Sequence, residues 1–223
     1  MEEEALFRLG EIHYFSLANS AQALNYFDEL LRLNKKGKFG YQAQKYIAEI
    51  VEFTVKDYDQ AVIEYQKLIN DFGRKEDNPG HQYRIAAVYY KKQDYDQALI
   101  ELETVLEKYP KSPLSEESFY KATSILYTLG RCPEVRQRYD GFMEKYANSK
   151  FHGEMEFVMA SCMEEEGNLK EASKKLKSLE GTYPYPALLK MKLEGIENRL
   201  KKKLDQKDNK AEYPLNIPPS EKL

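Results

Sequence analysis

One register returns five times along this chain, at Ala23, Ala61, Ala98, Val135 and Ala172, at intervals of 38, 37, 37 and 37 residues. A fixed period of this length marks a stack of supersecondary units, none of which can bury its apolar face without a neighbour. A second small-residue register precedes the first by 12 or 13 positions, at Gly10, Ala48, Ala86, Thr123 and Ala160. Large apolar residues flank it at helical spacing, as Ile85 and Tyr89 do about Ala86, and Met159 and Met163 about Ala160. Each unit therefore reads as helix, tight turn, helix, with the paired backbones close where the small residues face each other.

The punctuation agrees. Turns are expected at Val55 to Asp57, Lys92 to Asp94, Leu129 to Arg131 and Glu166 to Asn168, which are rich in residues that tolerate φ > 0 or cap a following helix. Pro133 suits a first helical turn, where no amide donor is needed. The connectors between units nearly repeat: Glu107 to Pro113 (EKYPKSP), Glu144 to Lys150 (EKYANSK) and Glu180 to Pro186 (EGTYPYP). Pro110 and Pro184 stop the second helices, and Ser115 with Glu116 and Glu117 is expected to cap the next one.

These residues resemble tetratricopeptide repeats over residues 3 to about 185, and the connectors resemble a bacterial subset that includes envelope proteins of the outer-membrane assembly and Tol-Pal systems. The resemblance implies an all-α, right-handed superhelical solenoid of five helix pairs, with repeats at about 3–36, 41–74, 79–112, 116–149 and 153–186. The period exceeds the family's usual one, Val135 stands at a small-residue site, and the first two units hold one extra residue, expected in their turns. A single solenoid domain is expected over 1–206. It ends in a capping helix, 187–206, that turns Leu189, Leu193, Ile196 and Leu200 to one side. Residues 207–223 read as a flexible tail in which Pro214 to Pro219 could dock as an extended segment.

Composition narrows the function. With 42% hydrophobic and 32% charged residues the chain can bury a core and still present a polar surface, and a formal charge of -3 selects no partner class. Residues 190–210 carry eight Lys or Arg against four Asp or Glu, but no aromatic platform is interleaved, so a solvated helix face is expected and no nucleic-acid contact. No apolar run approaches a membrane span, so no membrane insertion is expected. Met1-Glu-Glu-Glu4 lacks the regions of a signal peptide, which makes the cytoplasm the default for the chain as written and the periplasm the expectation for a processed fragment. Cys132 and Cys162 occupy non-equivalent repeat positions and read as two unpaired structural thiols. His13, His81 and His152 have no partners at metal-ligand spacing, and no phosphate loop or nucleophile motif occurs, so no catalytic residue, metal or cofactor is expected.

The resemblance places partner binding on the first helix of each pair. Nine aromatics fall at the corresponding positions: Phe7, Tyr14, Phe15, Phe53, Tyr83, Tyr90, Tyr120, Tyr127 and Phe157. They could equally be core residues of a Tyr-rich protein; as a groove lining they would offer large contact area at little entropic cost. The same positions hold many acids, among them Glu11, Glu49, Glu52 and Glu164, with few bases. Exposed, these would favour a protein or peptide partner with apolar and basic residues. The expected function is a non-catalytic interaction scaffold or adaptor holding a peptide or helix in an aromatic, acidic groove. The alternatives are a structural subunit of a bacterial envelope assembly that uses its convex face or N-terminal end, and a recognition domain of a longer protein. Because the first helix starts with no capping element, further chain, a partner or a second copy is expected to cover that end.

Overall fold

The computed structural model describes residues 1–212, which gather into two compact units, Met1–Ile125 and the chain from Leu126 onward. The first helix of each pair begins one residue before the expected repeat, at Glu2, Gly40, Asn78, Ser115 and His152. The first unit holds α1 (Glu2–Glu11), α2 (Ser20–Asn34), α3 (Gly40–Glu49), α4 (Tyr58–Asp71), α5 (Asn78–Lys91) and α6 (Tyr95–Lys108), each packed on the next. Helix α7 (Ser115–Thr128) begins in the first unit and ends in the second, which continues with α8 (Cys132–Lys145), α9 (His152–Glu165), α10 (Leu169–Lys177) and α11 (Pro186–Glu212). The described residues are helical with no strand, which makes the fold an all-α solenoid of helix pairs.

The turn inside each pair is built on one plan. The residue five positions before each register residue has a left-handed backbone: Ala18 (φ 49°), Lys56 (60°), Gln93 (63°), Gly130 (71°) and Gly167 (84°). Asn19, Asp57 and Asp94 follow directly and accept, through their side chains, the amides of Gln22, Gln60 and Gln97 at 3.1, 3.0 and 3.2 Å. Only two of the five left-handed positions are glycine, so the first three turns hold a side chain where L-residues are strained.

The additional residue of the first two units lies in the helices rather than in their turns. Both α1 and α3 finish in π-helical segments, Ile12–Ser16 and Ile50–Val55, and the Leu17 amide donates five residues back to the Ile12 carbonyl at 3.0 Å. Behind the first of these, Gly10 faces the fully buried Phe27 ring so closely that an added Cβ would stand 2.4 Å from Cε1. Ala48, Ala86 and Ala160 fill the same site elsewhere, each almost wholly buried.

The connectors also repeat. Ser112 and Ser149 accept the amides of Leu114 and Phe151, while the Ser115 hydroxyl donates to the Tyr109 carbonyl and His152 Nε2 meets the Tyr146 carbonyl, both at 2.8 Å. Ser115 thus ties its helix back to the preceding connector. His152 does the equivalent work one repeat later.

A second correction concerns the thiols. Cys132, at the start of α8, and Cys162, on α9, form a disulfide with Cα atoms 5.5 Å apart. Their sequence positions differ within the repeat, but the last helix of one pair packs on the first of the next and brings them together.

Leu189, Leu193 and Ile196 of α11 are buried with Ala160, Leu169, Ala172 and Leu176, and Leu200 packs at their edge. Helix α11 thereby covers the last pair and runs on past residue 206. The remainder of the expected tail, 213–223, with its Pro214 to Pro219 stretch, lies outside the described residues.

Candidate functional site

Counting eight residues back from Ala23, Ala61 and Ala98 gives Phe15, Phe53 and Tyr90, all in the first unit and 63, 48 and 52% exposed. Large rings left about half or more in water at one register position of three successive helix pairs are the clearest surface signal among the described residues. In the first two pairs the π-helical segments create it, while Tyr90 stands exposed on a regular α-helix. Four residues on from Gly10 and Ala48 stand Tyr14 and Glu52, the inner partners. Tyr14 packs against the core and Glu52 is buried, while the next residue, Phe15 or Phe53, turns outward.

The sequence predicts Glu52 as a groove-facing acid. Instead its carboxylate is sealed beneath the surface, accepting the Tyr65 hydroxyl at 2.7 Å, Arg84 Nη2 at 2.6 and 2.7 Å, and Lys91 Nζ at 2.7 Å. Burial opposes its ionisation, but the three donors prevail and hold its pKa below the usual carboxylate range. Arg84 and Lys91, two helical turns apart on α5, also lie over the Phe53 ring, 4.7 and 4.5 Å from its centroid. One buried anion therefore organises two cations that are each about one-third exposed, 34 and 37%.

Two depressions meet at Tyr83. The first, about 280 Å³, has a floor of Ala86, Ala87, Leu102 and Ile125, walls of Tyr83, Tyr90 and Tyr120, and Lys91 and Lys121 at its rim. The second is more polar and includes Lys45, Glu49, Phe53 and Arg84. The Tyr83 hydroxyl donates to Glu117 at 2.6 Å, and burial together with that carboxylate pushes its phenol pKa well up, so it is a fixed donor.

Other expected groove residues fare differently. Phe7 is core, stacked on Phe39 at 4.6 Å, because its helix packs its ring against the second pair. Glu11 accepts from Arg8 at 2.6 Å, and Glu49 lies 3.9 Å from Lys45 with its pKa raised by burial. In the second unit Phe157 stacks on Tyr183 with centroids 5.0 Å apart, and Glu164 is gripped by Lys192 and Arg199 of α11 at 2.6 and 2.7 Å. Tyr127 is half-buried, and burial raises its pKa. The acids that seem lopsided in the sequence are thus matched by cations, Glu11 and Glu49 by one on their own helix and Glu52 and Glu164 by cations of a neighbouring helix. The sequence reading passed over Arg84 and Lys121 as site residues. The seven-residue spacing of Arg84 and Lys91 was the available sign that both share a helix face with Phe53 and Glu52.

Among the described residues no cluster of His, Cys, Asp and Glu could hold a metal, and no helix is long and apolar enough to cross a membrane. A stack of helix pairs with an open aromatic face and a cation-rimmed pocket defines a tetratricopeptide-type protein-interaction scaffold. Residues 4–36 match a tetratricopeptide repeat model. Residues 38–165, more than half of the chain, match the YfiO model, described as outer membrane lipoprotein, and the chain belongs to that family. Similar solved structures include a tetratricopeptide repeat protein from Parabacteroides merdae (TM-score 0.68, 17% identity, 90% of this chain and 74% of that one). Another is YrrB, described as having an unusual peptide-binding site (0.57, 15%, 83 and 90%), and a third is PilW, a type IV pilus biogenesis factor (0.58, 13%, 86 and 82%). At these identities they show the fold. No curated protein sequence matches the chain.

Proposed function

We propose that this chain is a non-catalytic scaffold of the bacterial envelope that holds a peptide or helix of a partner protein on the first-helix face of its first unit. The observation that carries this reading is the row Phe15, Phe53 and Tyr90, exposed in register, with Tyr90 lining the pocket between α5 and α7. Aromatic anchors around a preformed depression give contact area without ordering a loop on binding. The family supports an envelope setting over the cytoplasmic default, and the Cys132–Cys162 bridge fits an oxidising compartment.

The test is site-specific photocrosslinking. A benzoylphenylalanine at position 53 or 90 is expected to trap one partner in cells, and the same group at Ile63 or Ile100, exposed residues of α4 and α6, is not. Crosslinks from Ile63 and Ile100 alone would move the interface to the second helices and favour the assembly-subunit reading.

A further inference from the structure

Resting on that reading, we infer that the pocket between α5 and α7 takes an apolar side chain of the partner flanked by carboxylates, the opposite charge to the one the glutamate-rich sequence suggests. Its lining contains two lysines and no acid. The nearest carboxylates are already engaged. Glu52 is wholly buried between Arg84 and Lys91, and Glu117 takes the Tyr83 hydroxyl and stands 3.8 Å from Lys121. Arg84 and Lys91 thus share the buried Glu52, Lys121 stands beside Glu117, and Lys91 and Lys121 remain 37 and 46% exposed. What a ligand meets at the rim is positive charge, while below it the almost fully buried Ala86, Leu102 and Ile125 offer nothing to a polar group.

Size fits the same occupant. A space of about 280 Å³ lies at the low end for ligand pockets and suits one aliphatic or aromatic side chain. The half-buried Ala87 on its floor provides the room that a larger residue would close. Neighbouring carboxylates of the ligand would then reach Lys91 and Lys121, where opposite charge sets preference more than total affinity. Glu52 acts as a positioning residue, holding the Lys91 ammonium at the rim.

The experiment uses the full chain and three Gly/Ser-spaced peptides, centred on Glu-Leu-Glu, Lys-Leu-Lys and Glu-Ala-Glu, titrated while the ring resonances of Tyr83, Tyr90 and Tyr120 are followed by NMR. Glu-Leu-Glu is expected to bind at least about tenfold tighter than either control. Lys121→Glu, a change at an exposed position, should remove its advantage over Lys-Leu-Lys. Lys91→Gln should weaken it in part, and Ala87→Leu should abolish binding of both leucine peptides. Equal or tighter binding of Lys-Leu-Lys, an acid preference that survives Lys121→Glu, or no ring shift with any peptide would overturn the pocket assignment. Photocrosslinks from positions 53 and 90 that persist in that case would leave the groove standing; their loss as well would remove both.

Discussion

The two units use the same register position in opposite ways. In the first, the residue eight positions before the small-residue register is an exposed ring, Phe15, Phe53 or Tyr90. In the last pair of the second it is Glu164, held by Lys192 and Arg199 of α11, with Phe157 closed under Tyr183 on the same helix. The last pair is covered by its own chain and further clasped by a disulfide, whereas the first unit leaves its face open. Repeats that share a scaffold can thus divide the work, some for recognition and some for closure, by changing what stands at one position.

This comparison can be broken at several points. Reducing the disulfide, or replacing both Cys132 and Cys162 with Ser, should cost the second unit about 3 kcal/mol, since the bridge spans 30 residues of sequence. Hydrogen exchange should then rise in 126–212 with residues 1–125 little changed; a uniform rise would mean that the units share one unfolding event.

Glu52→Ala should cost the first unit about 2 kcal/mol, less than a fully buried pair because Arg84 and Lys91 can reach water, while Glu164→Ala should cost about 0.5 kcal/mol. Equal losses in chemical denaturation would deny that the buried carboxylate organises its face. The pH dependence has a defined sign. A carboxylate with a lowered folded-state pKa contributes stability that is present above its unfolded value of 4.5 and lost as pH falls through the folded one. His81, lowered chiefly by burial, contributes stability that is present above 6.5 and lost as pH drops below it. Acid should therefore weaken the first unit in two stages, and Glu52→Gln should flatten the lower one in a series of thermal melts.

Gly10→Ala should cost about 1 to 3 kcal/mol, because the Cβ would meet a ring with no room to move. A neutral result would show that the first pair can spread. A gain rather than a loss is expected from Ala18→Gly, about 1 kcal/mol from relief of a left-handed alanine, read as a higher melting temperature.

The helix pairs and their turns were legible from the sequence because small residues, caps and connectors recur at one period, and side chains at such positions have few alternatives. The apolar stripe of α11 was legible for the same reason. The charge of the candidate site was not. Counting glutamates says nothing of which carboxylate a neighbouring helix will neutralise, and Glu52 meets its cations 32 and 39 residues away. Phe7 misled in a related way, since an aromatic on a first helix can face the neighbouring pair as readily as the solvent. The cysteine pairing escaped because repeat position describes a residue within its own unit, while a crosslink depends on the contact between two.

The π-helical segments carry one more consequence. An inserted residue usually shifts everything after it, yet here the second helices of the first two pairs keep their capped turns and their place against the core. The helix end acts as an expansion joint. It takes up one residue by widening, and the frame on either side stays in phase. A repeat built this way can gain a surface side chain in a single insertion without a compensating deletion, which gives recognition faces a route to diversify that leaves the stack that supports them unaltered.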